Sequence, residues 1–206
     1  MVKLPAPPPP GELEPVDGYT RSEPALVLWR VHRTEGEHAI GWDRLRYWGP
    51  VATARFDPHL APPHSQSRGA LYAGLGIPDI LAEVYQETRV VDRAAGAPYL
   101  AAWRPARPLR LLDLTGDWPI KAGASYTINA GRKDYCRSWA QTIYTAHPDL
   151  DGLWHHSSMT GRPLVTLFTH AADSFPGRPD IDLPLAHHGL DMILLDACNQ
   201  IGYRLV

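Results

Sequence analysis

At 206 residues with a formal charge of −2, the chain is sized for one domain that buries about 70% of its unfolded surface. It lacks the basic surplus of a generic nucleic-acid binder. Its two cysteines, Cys136 and Cys198, give no disulfide framework and sit in apolar surroundings that suit small buried residues. No run approaches the roughly 18 apolar residues of a membrane span. A proline tract, Pro7 to Pro10, stands where a signal peptide would have its apolar segment. A cytoplasmic protein is the default expectation.

Residues 1–24 are proline-rich and read as an arm without a core of its own, with the folded domain spanning 25–206. Ala25-Leu26-Val27-Leu28-Trp29-Arg30-Val31 is a near-continuous apolar run, the mark of a strand buried on both faces. Arg30 is unusual there. A buried guanidinium calls for an anion, either an internal carboxylate or a ligand phosphate. Residues 33–50, with mixed charge and two tryptophans, read as a loop or short helix. Arg55 follows Val51-Ala52-Thr53-Ala54 and reads as the end of a strand. Gly69-Ala70-Leu71-Tyr72-Ala73-Gly74 reads as a brief buried strand, with Tyr72 either core or a ring face for a flat ligand.

Pro78 and Asp79 suit the opening turn of a helix, and apolar residues at 77, 80, 81, 84 and 85 give it one buried stripe. Glu83 lies off that stripe and Glu87 nearer its edge, so both can face a cleft, although two solvated glutamates are the plainer reading. Strands are expected at 98–103 and 109–114, loop at 119–133, and a helix capped by Asp134 that stops before His147-Pro148. Strands at 153–158 and 163–170, a polar connection at 171–184, and strands at 189–195 and 201–206 complete the chain. Two helices without regular βαβ alternation predict an α+β fold.

Four motifs in order carry a family resemblance. Trp29-Arg30-Val31, Arg55-Phe56, Gly69 to Ala73 with Ala82-Glu83, and Asp151 to Ser158 followed by Pro163 to Phe168 resemble the arginine, glutamate and serine motifs of the RES domain. Tyr135 and Gln141 are similar to residues of the helix before its serine motif. The family often has an arginine after the serine pair, where this chain has Met159. The resemblance, over roughly 25–200, implies a single compact domain like an ADP-ribosyltransferase, with a mixed or antiparallel β core and flanking helices. It implies a toxin that consumes NAD+ as substrate, by glycohydrolysis or phosphorolysis, and is neutralised by an Xre-type helix-turn-helix antitoxin. Under it, Arg30 and Arg55 bind the diphosphate and Tyr72 offers a face to nicotinamide. Glu83, with Arg55, serves the bond-breaking step, and Ser157 bonds the ribose, the carboxamide or Glu83. Ser157 is chosen over Ser158 by position.

A protein acceptor, giving ADP-ribosylation, fits the same residues, as does a non-catalytic nucleotide-binding module. Histidine pairs at 155–156 and 187–188 raise a metal-dependent hydrolase, but no His-Glu-x-x-His is present, and no metal is expected. A serine hydrolase lacks its Gly-x-Ser-x-Gly elbow. No membrane or direct nucleic-acid contact is expected, and a homo-oligomer is compatible with the chain.

Overall fold

The computed structural model describes residues 5–23 and 25–206; the remainder of the proline-rich arm, residues 1–4 and 24, lies outside the described residues. The strands are β1 (Thr20–Arg21), β2 (Leu28–Arg33), β3 (Arg46–Gly49), β4 (His64–Gly74), β5 (Val90–Val91), β6 (Pro98–Trp103), β7 (Leu111–Asp113), β8 (Gly152–His156), β9 (Pro163–Phe168), β10 (Ile181–Pro184) and β11 (Arg204–Leu205). The helices are α1 (Ile77–Val84), α2 (Trp118–Lys121), α3 (Lys133–Ala146) and α4 (Asp191–Ile201). One sheet runs β1-β7-β8-β9-β4-β2-β6-β10, with β3 paired to β4. All its pairs are antiparallel except β7 with β8. The architecture is α+β, with a mixed sheet and flanking helices.

Side-chain alternation along the strands feeds separate cores. Leu112 and Leu153 join the cluster under α3, with Trp118, Trp139 and Ile143. Their neighbours Leu111 and Trp154 join Trp103 and Val165 in a second cluster, as the period of a strand requires. A third gathers α1 and α4 around Leu100, with Trp29 and Val31 at its edge. The arm packs down: Leu13 and Val16 are buried in the α3 cluster, and the Trp139 and Trp118 indoles donate to the carbonyls of Pro5 and Pro15.

Several sequence expectations change. Residues 189–195 are not a strand but lead into α4, where Leu194, Ala197 and Cys198 face inward and Met192, Ile193 and Leu195 are exposed. The apolar run hid a helical stripe. β4 begins at His64, five residues before the glycine-bracketed run, because His64 to Arg68 continue the strand past the core. Residues 46–49, 118–121 and 181–184, taken for loop or connection, form β3, α2 and β10. Helix α1 ends at Val84, so Glu87 lies beyond it and is exposed.

Arg55 does not end a strand. It sits in the irregular segment 50–63, fixed from within by Asp57. That fully buried carboxylate accepts from the Val51 N–H at 2.7 Å and from Arg46 Nη2 at 3.0 Å, and pairs with His59 Nδ1. Helix α3 holds the segment from outside: Gln141 donates to the His59 carbonyl at 2.6 Å, and Arg137 to those of Ala52 and Ala54.

Two outcomes follow from this packing. A Cβ on Gly152, at the start of β8, would lie 2.1 Å from the Thr166 carbonyl oxygen, and paired backbone cannot give way. Gly152→Ala should therefore destabilise by about 3 kcal/mol in chemical denaturation; a loss under about 1 kcal/mol would contradict the close approach. Burial alone would raise the Asp57 carboxyl, but the His59 and Val51 bonds and the Arg46 charge outweigh it and hold it below its ordinary value. A depressed folded value stabilises above the unfolded value of about 3.9, and the contribution is lost as pH falls through the folded value. Asp57→Asn should cost roughly 3 kcal/mol above about pH 5, with the gap from wild type closing below about pH 4.

Candidate active site

Beyond the single pairing of Trp29 with Gly74, β2 and β4 diverge. Over this gap opens a cleft of about 1370 Å³. Arg30 and Val31 of β2, Tyr72 of β4, Glu83 of α1 and Arg55 of the irregular segment all line it, with Lys133, His155, His156 and Ser158. Four of the five residues singled out from sequence thus share one cavity. The fifth, Ser157, stands behind Glu83.

Helix α1 leaves β4 through Leu75 and Gly76, and carries Asp79 and Glu83 one turn apart, on one face. Both grip the turn after β8. The Ser157 hydroxyl donates to Glu83 Oε1 at 2.5 Å, and accepts from the Met159 and Thr160 N–H groups at 3.0 Å each. Thr160 Oγ1 donates to Asp79 Oδ1 at 2.9 Å, with Arg162 at 3.5 Å from the same oxygen. Burial raises the Asp79 carboxyl, and the Thr160 bond and Arg162 charge oppose it only in part. Ser157 is 4% exposed, and its hydroxyl proton is directed to Glu83. Of the partners left open by sequence, Glu83 is the one it meets. Ser158, its neighbour, faces the cleft.

Of the two anions expected for Arg30, the internal carboxylate is not found among the described residues. Arg30 Nη1 donates to the carbonyls of Gly41, Trp42 and Arg44 at 3.0–3.2 Å, and no carboxylate of the described residues lies within ion-pair distance. Three carbonyl dipoles stand in for a countercharge. Burial lowers the guanidinium to about 10, with Asp43 opposing and Arg46 adding to the effect, so it remains charged at neutral pH. Arg55 donates through Nη1 to the Gly131 carbonyl just before α3, and the same nitrogen lies 3.7 Å from Cys136 Sγ.

Tyr72 packs its ring on the α3 cluster. Its hydroxyl is out of solvent and makes no well-formed hydrogen bond among the described residues; burial raises it well above its ordinary value, with the nearby Phe56 backbone opposing only in part. His155 stacks on Phe56 at 4.4 Å and bonds Thr166 at 2.9 Å. Burial, with some repulsion from Arg55 and His156, pushes it down to about 3, leaving a neutral wall. His156 bonds the Tyr126 hydroxyl at 2.7 Å. Among the described residues no group of three or more His, Cys, Asp or Glu side chains is placed to hold a metal ion.

Sequence reasoning missed Lys133, taken for loop, and Trp48, half exposed at the cleft's rim. Neither had a local signal, since each owes its position to a partner element distant in the chain. The Asp79 to Thr160 clamp was equally hidden.

Comparison with known proteins places this geometry. No curated protein matches the sequence. A chain of the crystal structure of the M. tuberculosis MbcT–MbcA toxin–antitoxin complex shares the fold, with a TM-score of 0.54 and 17% identity, covering 82% of this chain and 88% of that one. The RES domain profile matches residues 27–186, from the strand of Arg30 through the glutamate helix and the serine turn to β10. The chain belongs to the RES domain family.

Proposed function

We propose that this RES domain is a toxin enzyme that depletes NAD+ by cleaving the bond between nicotinamide and ribose, on a scaffold of the ADP-ribosyltransferase kind. The observation that carries the reading is Glu83, a cleft carboxylate oriented by a buried serine, in one cavity with Arg30, Arg55 and Tyr72. The cavity exceeds the roughly 300–1,000 Å³ of most small-molecule sites, which suits a dinucleotide.

Cleavage of that bond leaves oxocarbenium-like charge at the anomeric carbon. A carboxylate already fixed by Ser157 stabilises this charge without reorganising at the moment of reaction, and can orient or deprotonate the incoming nucleophile. The guanidinium of Arg55 suits the diphosphate, because its planar fork makes paired charge-assisted bonds to phosphate oxygens. Arg30 adds positive potential and ties down the 41–44 segment, between residues 37–40 and 45–48 that line the cleft. Tyr72 offers a ring edge to the nicotinamide. Water as acceptor gives glycohydrolysis and phosphate gives phosphorolysis. The fold shared with a chain of a toxin–antitoxin complex supports an antitoxin partner; for that partner we propose a helix-turn-helix protein that covers the cleft.

Incubation with NAD+, followed by mass spectrometry of the products with and without phosphate, tests this directly. Wild type should release nicotinamide, and Glu83→Gln should be slower by about 10²–10³-fold with its melting temperature retained. Ser157→Ala should lose about tenfold in kcat with little change in KM. Wild type that releases no nicotinamide, or a Glu83→Gln variant at full rate, would end the proposal.

A further inference from the structure

We infer that Lys133 is a further cation of the diphosphate subsite, working with Arg55 at the start of α3; this rests on the dinucleotide reading above. The Arg55 guanidinium is anchored by Nη1 on the Gly131 carbonyl, two residues before Lys133. Its Nε and Nη2 have no protein partner among the described residues. Lys133 also lines the cleft and makes no hydrogen bond or ion pair with any described residue. Two cations that line one cleft without a carboxylate partner repel, and an anion bound between them relieves that repulsion.

The cleft's other charges fit this division. Glu83, on α1, is engaged by Ser157. Arg46 is bound to Asp57 and to the Trp48 carbonyl. Arg30 has its Nη1 committed to three carbonyls, which ties down the 41–44 segment and leaves its Nε and Nη2 without a described partner, and Arg33 packs its side chain along Gly96. Arg55 and Lys133 both keep unbonded donors in the cleft, and the carbonyl that anchors Arg55 stands two residues before Lys133. An ammonium binds a phosphate as a point charge while the guanidinium fixes its orientation, a pairing suited to a diphosphate and indifferent to the base attached to it.

Calorimetric titration with ADP and with adenosine tests the assignment, since the two ligands differ in the diphosphate. Lys133→Met should weaken ADP about tenfold or more and leave adenosine unchanged, while Lys133→Arg restores ADP binding. Wild-type affinity for ADP should also fall with salt more steeply than that for adenosine. ADP affinity unaltered in Lys133→Met, an equal loss for adenosine, or wild type that does not bind ADP would each overturn the inference. If Lys133→Met fails to fold, the wild-type salt dependence and Lys133→Arg decide: equal salt slopes for the two ligands, or no ADP binding by Lys133→Arg, overturn it. Tight ADP binding without nicotinamide release would sink the enzymatic reading alone and leave this one standing.

Discussion

The two parts of the sheet are joined by one residue pair, Trp29 with Gly74, and the site exists because that joint is so narrow. On one side β2 continues in register with β6 for six residues; on the other β4 follows β9 for five. The facing edges of β2 and β4 therefore separate, and unpaired strand edges must be covered or left to water. The joint also limits what can stand at it. A Cβ on Gly74 would meet the Gly76 carbonyl at 3.3 Å and Ile80 Cβ at 3.5 Å, so the glycine lets α1 cross close over the gap. Glu83 reaches the cleft because of that close crossing.

The arginines around the gap show two ways of keeping a guanidinium out of water. Arg46 has a carboxylate, and its charge is neutralised by fully buried Asp57. Arg30 has carbonyls, which satisfy hydrogen bonds but cancel no charge. The first arrangement is structural, tying down the segment that carries Arg55. The second leaves the Arg30 charge without a carboxylate to cancel it, and the field of such a charge grows as solvent is excluded. Arg55, anchored on another carbonyl, adds to it.

Local pattern carried some elements and not others. The Pro78-Asp79 opening of α1 and the apolar spacing of α3 were legible, because a proline-led first turn and a helical stripe are properties of consecutive residues; the expected cap of α3 was not, since Asp134 lies within its first turn and Arg132 stands at the cap. Strand β6 was legible at Pro98–Trp103 for the same reason. Helix α4 was not: its exposed Met192, Ile193 and Leu195 are apolar, which erased the contrast that a helical period needs. In the site, the residue types could be picked out but their partners could not. Glu83 and Ser157 lie 74 positions apart, and nothing between them encodes the contact. Arg30 was expected to need an anion, since sequence offers carboxylates by name and never shows which backbone carbonyls will gather.

The bond from Ser157 to Glu83 separates this carboxylate from the solvated glutamate that helix pattern alone favoured. A free glutamate side chain samples many rotamers, and fixing it costs on the order of 1.5–2 kcal/mol. Here that ordering is met by folding, since two backbone N–H groups fill the serine oxygen and direct its proton at Oε1. The same turn is held to α1 a second time, through Thr160 and Asp79, so it cannot swing away without breaking two buried contacts. A charge fixed in this manner serves a developing positive centre better than a mobile one, since no reorganisation remains to be done. Under the proposed chemistry the serine contributes through the glutamate, which it has fixed before substrate arrives.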